Sequence, residues 1–279
     1  MFRVHHRHRS FPIVVGFVLL SLLFTMLPGA EHSLTSVAYA QSCNAGLSGF
    51  LEQDTNLSND VYITGNVTVR GNATLTIEPG TRVIMCGAYT LAIGALFNPG
   101  RLVAIGTPDQ PIRIEATNPN TKWNSLFFAW GETEASILRH VILTDGGGND
   151  PNDANAAAIS ISNVRAIDGP IFEHVTVEDR GGITFDPFSV VDSVLRHVKL
   201  QNGGGNVDDR SAVIAKSGSG QLTLDHVKIS GSANGGSTAE TGVYVSATVL
   251  FRITILVLNY ALRKALLIIA VSRIMRKAG

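Results

Sequence analysis

Two acidic segments of the chain carry residue types that could hold a cation. Asp208 and Asp209 stand directly before Arg210, an order that would place two carboxylates for a metal beside a guanidinium able to stabilise an enolate-like intermediate. Residues 145–155 are rich in Gly and Asn, and their Ca²⁺ ligand candidates are Asp145, Asn149, Asp150 and Asp153. Closely spaced oxygen ligands on such a loop suit Ca²⁺, and no other cofactor is expected. A solvated acidic turn is the alternative for both segments.

Aromatic residues crowd between positions 123 and 130. Phe128 keeps the parity of an inward-pointing strand with Leu126, which leaves Phe127 and Trp130 on the other side. Exposed aromatic rings are a usual means of binding sugars, so Trp123, Phe127 and Trp130 are candidates for a glycan platform. A core cluster with a covered corner is the alternative.

A motif of an apolar residue, a charged residue, His and Val recurs at Leu138–Val141, Phe172–Val175, Leu195–Val198 and Leu224–Val227. Successive histidines are 34, 23 and 29 residues apart, which suits a solenoid with turns of variable length. The parity of the apolar positions requires the backbone to bend beside each His. If each Val points inward, His140, His174, His197 and His226 point outward at one corner and stack at about 4.8 Å per coil. Such imidazoles could hold Zn²⁺, but a one-sided ladder does not enclose an ion, so a structural stack is favoured.

The remaining pattern from Val61 onward is one of short strands and turns. Apolar residues two apart alternate with turn formers such as Pro79-Gly80 and Asn98-Pro99-Gly100. Residues 138–163 align without a gap on residues 195–220, with 12 identities in 26 positions, so two coils form one super-repeat. Strands this short bury a core by stacking coil upon coil, which predicts an all-β parallel β-helix solenoid.

The formal net charge of zero averages three unlike regions. Residues 1–40 have a basic start, an apolar core and a small-x-small site at Ala38–Ala40, which predicts a signal peptide, with an uncleaved anchor as the alternative. We divide the remainder into an N-terminal cap at 41–60, the solenoid at 61–248 and an atypical tail at 249–279. Residues 41–248 hold 13 basic and 21 acidic residues, which argues against nucleic acid as the partner.

The cysteines and the tail leave alternatives open. Cys43 and Cys86 both lie in the exported part, where they could form a disulfide or remain two buried thiols. Residues 249–279 contain a single Gly and no Asp, and they are rich in Ile, Leu and Arg. This tail is either frameshifted or truncated sequence, or a basic amphipathic helix that caps the solenoid or lies on a membrane surface. Membrane contact is expected only if the tail is genuine.

The segments Val67–Val69, Leu75–Thr81, Leu102–Pro108 and Pro111-Ile112, together with Trp123 and the His-Val coils, resemble bacterial secreted and cell-surface right-handed β-helix proteins of the pectin-lyase-like superfamily. The resemblance covers about residues 61–248. It implies a right-handed, single-stranded parallel β-helix, in a family that includes adhesins and enzymes acting on polyuronides. Those enzymes use Ca²⁺ held by clustered Asp with an Arg base, or Gly-His-Gly and Arg-Ile-Lys motifs, and neither of these two motifs occurs here.

We therefore expect a secreted or cell-surface β-helix protein that serves as a non-catalytic structural or glycan-contacting module. Its expected partner is an extracellular polysaccharide or a cell-surface glycan. The alternative is a Ca²⁺-dependent polysaccharide lyase of pectate-lyase type, which would use Asp208, Asp209 and Arg210.

Overall fold

A computed structural model describes residues 42–118, 120–129, 136–148, 157–162, 169–178, 182–185, 193–201, 213–215, 221–230, 241–246, 250–253, 256–259 and 266–270. These residues form strands and turns, with no helix among them. Within the same ranges, nothing has the length and apolar character of a membrane-spanning helix. The prediction of an all-β chain is confirmed for this part of the protein.

All strands pair in parallel, and each turn of the chain adds one strand to each of three faces. Face A is an 8-stranded sheet of β2 (Thr55–Leu57), β4 (Ala73–Ile77), β7 (Gly100–Ile105), β10 (Ile137–Arg139), β13 (Ile171–Glu173), β16 (Ser193–Arg196), β19 (Gln221–Asp225) and β22 (Leu250–Ile253). Face B contains β5 (Arg82–Met85), β8 (Ile112–Ala116), β11 (Val141–Leu143), β14 (Thr176–Glu178), β17 (Lys199–Gln201), β20 (Val227–Ser230) and β23 (Leu256–Asn259). Face C contains β6 (Thr90–Ile93), β9 (Ser125–Phe128), β12 (Ile159–Ile161), β15 (Ile183–Phe185), β18 (Val213–Ala215), β21 (Thr241–Ser246) and β24 (Leu266–Ala270).

Faces B and C join through one long strand near the N-terminus. The first part of β3 (Asp60–Val69) pairs with β5, and its last three residues pair with β6. The strand β1 (Leu47–Leu51) pairs with β3 in turn. Neighbours in every face are therefore one full turn apart in the chain, which is the strand order of a β-solenoid.

The core lies inside the three faces and is built from stacked aliphatic side chains. Burial alternates along the strands, as in β4, where Ala73, Leu75 and Ile77 are buried and the residues between them are partly exposed. Leu138 and Val141 of the first His motif are 0% exposed, as are Leu195 and Val198. The expectation that each Val of the motif points inward is therefore confirmed.

Parallel pairing already includes residues of the predicted N-terminal cap segment at 41–60. β1 pairs with β3, and β2 pairs with β4. A short turn at Ser42–Ala45 precedes β1, and Cys43 in that turn forms a disulfide with Cys86 across a Cα–Cα distance of 5.6 Å. Of the two alternatives for the cysteines, the disulfide is correct. It ties the first turn to the end of β5.

The super-repeat of two coils is confirmed, but the gapless sequence alignment does not match the strand register on face C. Leu138 is in register with Phe172 and Phe172 with Leu195, so the aligned leucines lie two coils apart. On face C, however, Ile159 is in register with Val213 through Ile183, whereas the gapless alignment pairs Ile159 with Lys216. The loop between faces B and C is therefore three residues shorter in the second copy.

The tail contains three strands in its described residues. β22, β23 and β24 pair in parallel with β19, β20 and β21 and continue all three faces. The structure thus has strands at these positions, where one of the alternatives expected an amphipathic helix. The predicted signal peptide at 1–40 lies outside the described residues.

Candidate functional site

The corner between faces A and B is formed by histidines in a left-handed backbone conformation. The φ angles of His140, His174, His197 and His226 are 50°, 54°, 53° and 53°. His is one of the few non-glycine residues that occur with some frequency at such angles. One left-handed residue turns the chain from a strand of face A to a strand of face B. Hydrogen bonding between successive coils continues through this turn, since the N–H of His174 donates to the carbonyl of Arg196 at 3.0 Å. We call these four residues the histidine corner.

The four imidazole rings stack along the histidine corner, as expected. Centroids of His140 and His174 are 4.6 Å apart, those of His174 and His197 4.8 Å, and those of His197 and His226 4.7 Å. The rings of the first two pairs are nearly parallel, with interplanar angles of 7° and 8°, whereas the last pair is tilted by 33°. The tilt accompanies a contact of 2.6 Å between Nδ1 of His226 and Oδ1 of Asp225.

This stacked geometry is unsuitable for a shared transition metal. The lone pair of an imidazole nitrogen lies in the ring plane, so stacked parallel rings direct their lone pairs side by side and not toward one point. A zinc ion would need both nitrogens at about 2.0–2.1 Å in tetrahedral directions. In the described ranges no group of three or more His, Cys, Asp or Glu side chains is placed to hold a metal ion.

A column of alternating charges runs along face A beside the histidine corner. Arg139, Glu173, Arg196 and Asp225 occupy the position before each His, in register on neighbouring strands. Glu173 accepts from Nη2 of Arg139 at 2.6 Å on one side and contacts the guanidinium of Arg196 on the other. Nε of Arg196 lies 3.5 Å from Oδ2 of Asp225. Each rung is thereby linked to the next by an ion pair.

Two groups at this corner, Glu173 and His174, have a pKa below the ordinary value. Burial alone would raise the pKa of Glu173, but hydrogen bonds and attraction from Arg139 and Arg196 outweigh it, so this pKa lies below its ordinary value. The pKa of His174 is also lowered, first by burial and then by repulsion from His140 and His197, against a smaller attraction from Glu173. The carboxylate is therefore favoured in its charged form and the imidazole in its neutral form.

Of the Ca²⁺ candidates, Asp145 lies in the described residues and forms an ion pair there. This carboxylate is largely buried, and Oδ1 lies 3.2 Å from Nζ of Lys122, so a cation already neutralises it. The backbone of Asp145, with φ of 60°, accepts a hydrogen bond from the N–H of Trp123 at 3.1 Å. Asp145 therefore fastens the loop to the preceding coil. The other Ca²⁺ candidates, Asn149, Asp150 and Asp153, lie outside the described residues, as do Asp208, Asp209 and Arg210.

Trp123 is a core residue and cannot present its ring to a sugar, so its assignment as a ligand residue is wrong. It is 0% exposed, and its Nε1 donates to the carbonyl of Thr144 at 2.7 Å. Gly146 packs against the indole, because a Cβ at that position would lie 2.8 Å from Cζ2 of Trp123. Phe128 is also buried, with its ring 6.0 Å from that of Phe172. Trp130 lies outside the described residues.

Phe127, the remaining candidate, points outward as predicted and belongs to a longer column on face C. Pairing places five outward residues in register across neighbouring strands: Phe50, Thr68, Ala92, Phe127 and Ser160. Phe50 is 61% exposed although Cζ of Arg70 lies 3.5 Å from its ring centroid. Phe127 is partly exposed. We call these five residues the outer column of face C.

Two further apolar side chains project beside the outer column of face C. Leu96 and Phe97 are 67% and 76% exposed at the tip of the turn after β6. Reciprocal backbone hydrogen bonds between Ala95 and Asn98, of 2.8 and 2.9 Å, hold this turn, and Phe97 has a positive φ of 56°. The sequence reasoning missed Phe50, Leu96 and Phe97. Parity with Leu47 and Leu51 could have placed Phe50 outside, and two apolar residues directly before Asn98-Pro99-Gly100 could have indicated an exposed tip.

Comparison with known proteins gives no match to a family model, to a curated protein or to a solved structure.

Proposed function

We propose that the chain is an exported, right-handed parallel β-helix protein of the pectin-lyase-like type, which contacts a glycan at the cell surface through face C and performs no catalysis. The outer column of face C is the observation that supports this proposal. Two phenyl rings, Phe50 and Phe127, lie in this column with only Thr68 and Ala92 between them. Flat rings separated by small side chains suit the apolar face of a sugar ring.

The dimensions of this column also suit an extended polysaccharide. Phe50 and Phe127 are three rungs apart, which corresponds to about 14 Å at the usual strand spacing. A ligand chain crossing the strands could therefore stack on both rings and contact the hydroxyl of Thr68 between them. Leu96 and Phe97 lie at the edge of the same face and would extend the apolar surface.

Binding to insoluble polysaccharides and to a glycan array tests this proposal. Wild-type protein should be retained by at least one polysaccharide, and a Phe50→Ala/Phe127→Ala variant should bind it about tenfold more weakly, because two aromatic contacts are lost. Thr176→Ala, an outward substitution on face B, is the matched control and should bind like the wild type. Retention of full affinity by the double variant, or the absence of binding to every glycan, would refute a glycan-contacting face C.

A further inference from the structure

The charges around the histidine corner come from both flanking faces and from the coil before it. On face A the flanking groups are Arg139, Glu173, Arg196 and Asp225, which are linked in ion pairs. On face B the exposed Lys199 and Lys228 are in register with each other on β17 and β20. In the coil before His140, Arg113 of β8 is in register with Ile142 of β11. Asp109 lies in the turn that precedes β8 in that coil. Among these described groups, five cations stand against three carboxylates.

Protonation of this stack is opposed by its own spacing. Centroids of adjacent rings are separated by 4.6–4.8 Å, so two neighbouring imidazolium ions would repel each other strongly. His174 has a ring on either side, whereas His226 has one neighbour and a carboxylate oxygen at 2.6 Å. A proton on His174 is therefore disfavoured when either neighbouring ring is charged.

We propose that the four stacked histidines form an acid-sensitive element that loosens the corner between faces A and B when the surroundings become mildly acidic. Neutral rings stack and allow the backbone of successive coils to remain close. Charged rings separate, and the hydrogen bonds that cross the corner, such as the N–H of His197 to the carbonyl of Asp225 at 2.8 Å, lose their support. The element is independent of face C and of any glycan.

The direction of the effect follows from the lowered pKa of His174. The unfolded chain binds a proton at this residue at a higher pH than the folded chain does. Stability from the neutral ring is therefore complete above the ordinary histidine value of 6.5 and is lost as the pH falls from there through the pKa of the folded state. Carboxylates titrate mostly below this window, so the two effects can be separated.

NMR titration of the histidine side chains between pH 8 and 4.5 tests the proposal directly. In the wild type, the pKa of His174 should lie below the ordinary value, and its titration should extend over a wider pH range than that of a single independent site. In a His140→Asn/His197→Asn variant, the pKa of His174 should rise, because both neighbouring rings are gone. Asn is suited to these positions since it tolerates the left-handed conformation.

His226→Asn is the matched control, because it removes a ring that does not touch His174. It should leave the titration of His174 nearly unchanged. The melting temperature of the wild type should fall between pH 7.5 and 5, and this fall should be smaller in the His140→Asn/His197→Asn variant. Amide hydrogen exchange at His174 and His197, corrected for the intrinsic effect of pH, should accelerate over the same range.

Two results would overturn the proposal. One is a His174 midpoint that is the same in the wild type and in the His140→Asn/His197→Asn variant. The other is a melting temperature of the wild type that does not change between pH 7.5 and 5. If the double variant does not fold, the wild-type measurements decide alone, because an unshifted, single-site titration of His174 contradicts repulsion within the stack.

Discussion

At the scale of single residues, Trp123 shows how one hydrogen bond fixes a loop to the solenoid. The indole is fully buried, and its only polar atom donates to the carbonyl of Thr144. A buried carbonyl without a donor is costly, as is a void in place of the larger ring. Trp123 is 0% exposed, so its contribution is to stability.

We predict that Trp123→Phe lowers the free energy of unfolding by about 2–4 kcal/mol, because the Thr144 carbonyl loses its donor and a void remains. Chemical denaturation at neutral pH measures this loss. Phe127→Leu, which alters an outward and partly exposed ring in the same segment, should cost less than about 1 kcal/mol. Equal losses for the two variants would contradict the buried position of Trp123.

A second prediction concerns Glu173, which contacts two arginines on neighbouring rungs. Glu173→Gln should lower the free energy of unfolding at pH 7 by about 1–2 kcal/mol, because both ion pairs are lost from a side chain that is only 15% exposed. The pKa of Glu173 is lowered in the folded state, so its stabilising effect is present above the ordinary value of 4.5 and disappears as the pH falls through the folded pKa. The difference between wild type and variant, measured by denaturation, should therefore vanish in strong acid.

Glu52→Gln is the control for that measurement, since Glu52 forms a single pair with Arg70 and its side chain is 57% exposed. Its effect at pH 7 should be small, because exposed ion pairs contribute little. A Glu173 variant that is as stable as the Glu52 variant at pH 7 would show that the charge column contributes nothing to stability.

For single residues, the sequence predicted which side of a strand a side chain occupies, but it did not predict the burial of Trp123. Parity placed Val141 inside and His140 outside, because successive residues of a strand alternate. Trp123 precedes β9 and has no such pattern, and the space for its indole exists only because Gly146 lacks a side chain. That contact joins residues from different coils, so no local rule could have predicted it.

At the scale of elements, the turns between faces decide how closely two coils approach. Gly100 begins β7, and a Cβ there would lie 2.1 Å from the carbonyl oxygen of Val69, one coil earlier. The absence of a side chain is thus required by backbone contact between coils. The sequence predicted that Gly100 forms a turn. That β4 is the neighbouring strand, and that glycine is needed there because the two backbones are close, is known only from the strand register.

The disulfide lies at the N-terminal strands of the described solenoid. Cys43 and Cys86 are separated by 43 residues, and the enclosed segment contains β1 to β5. Reduction, or a Cys43→Ser/Cys86→Ser variant, should lower the free energy of unfolding by about 2–4 kcal/mol, mainly by freeing the unfolded chain. Thermal unfolding with and without reductant measures this effect. If the bond is present, mass spectrometry of the untreated protein should detect no free thiol, and an equal melting temperature after reduction would contradict its role.

At the scale of the whole molecule, the described coils form a chain of nearest neighbours. In the described residues, each strand of face A pairs with the strands one turn before and one turn after it, and the same holds on faces B and C beyond β3. Burial between adjacent coils therefore supplies the stability, and damage should spread from one coil to the next. The repeated His-Val motif predicted this architecture because it recurs once per coil. The loops between faces B and C vary in length, so the gapless alignment could not predict the register on face C.

This architecture predicts a graded response to a charge placed in the core. Leu138→Asp buries an unpaired carboxylate at a position that is 0% exposed, at a cost above about 4 kcal/mol. Hydrogen exchange should show the loss of protection first in β10 and its partners β7 and β13, while β2 and β4 retain more protection. Ile137→Asp places the same charge on the outer side of the same strand and should change protection far less. If Leu138→Asp instead removes protection equally from every strand, the coils unfold as one cooperative unit, and stability cannot be assigned to nearest neighbours.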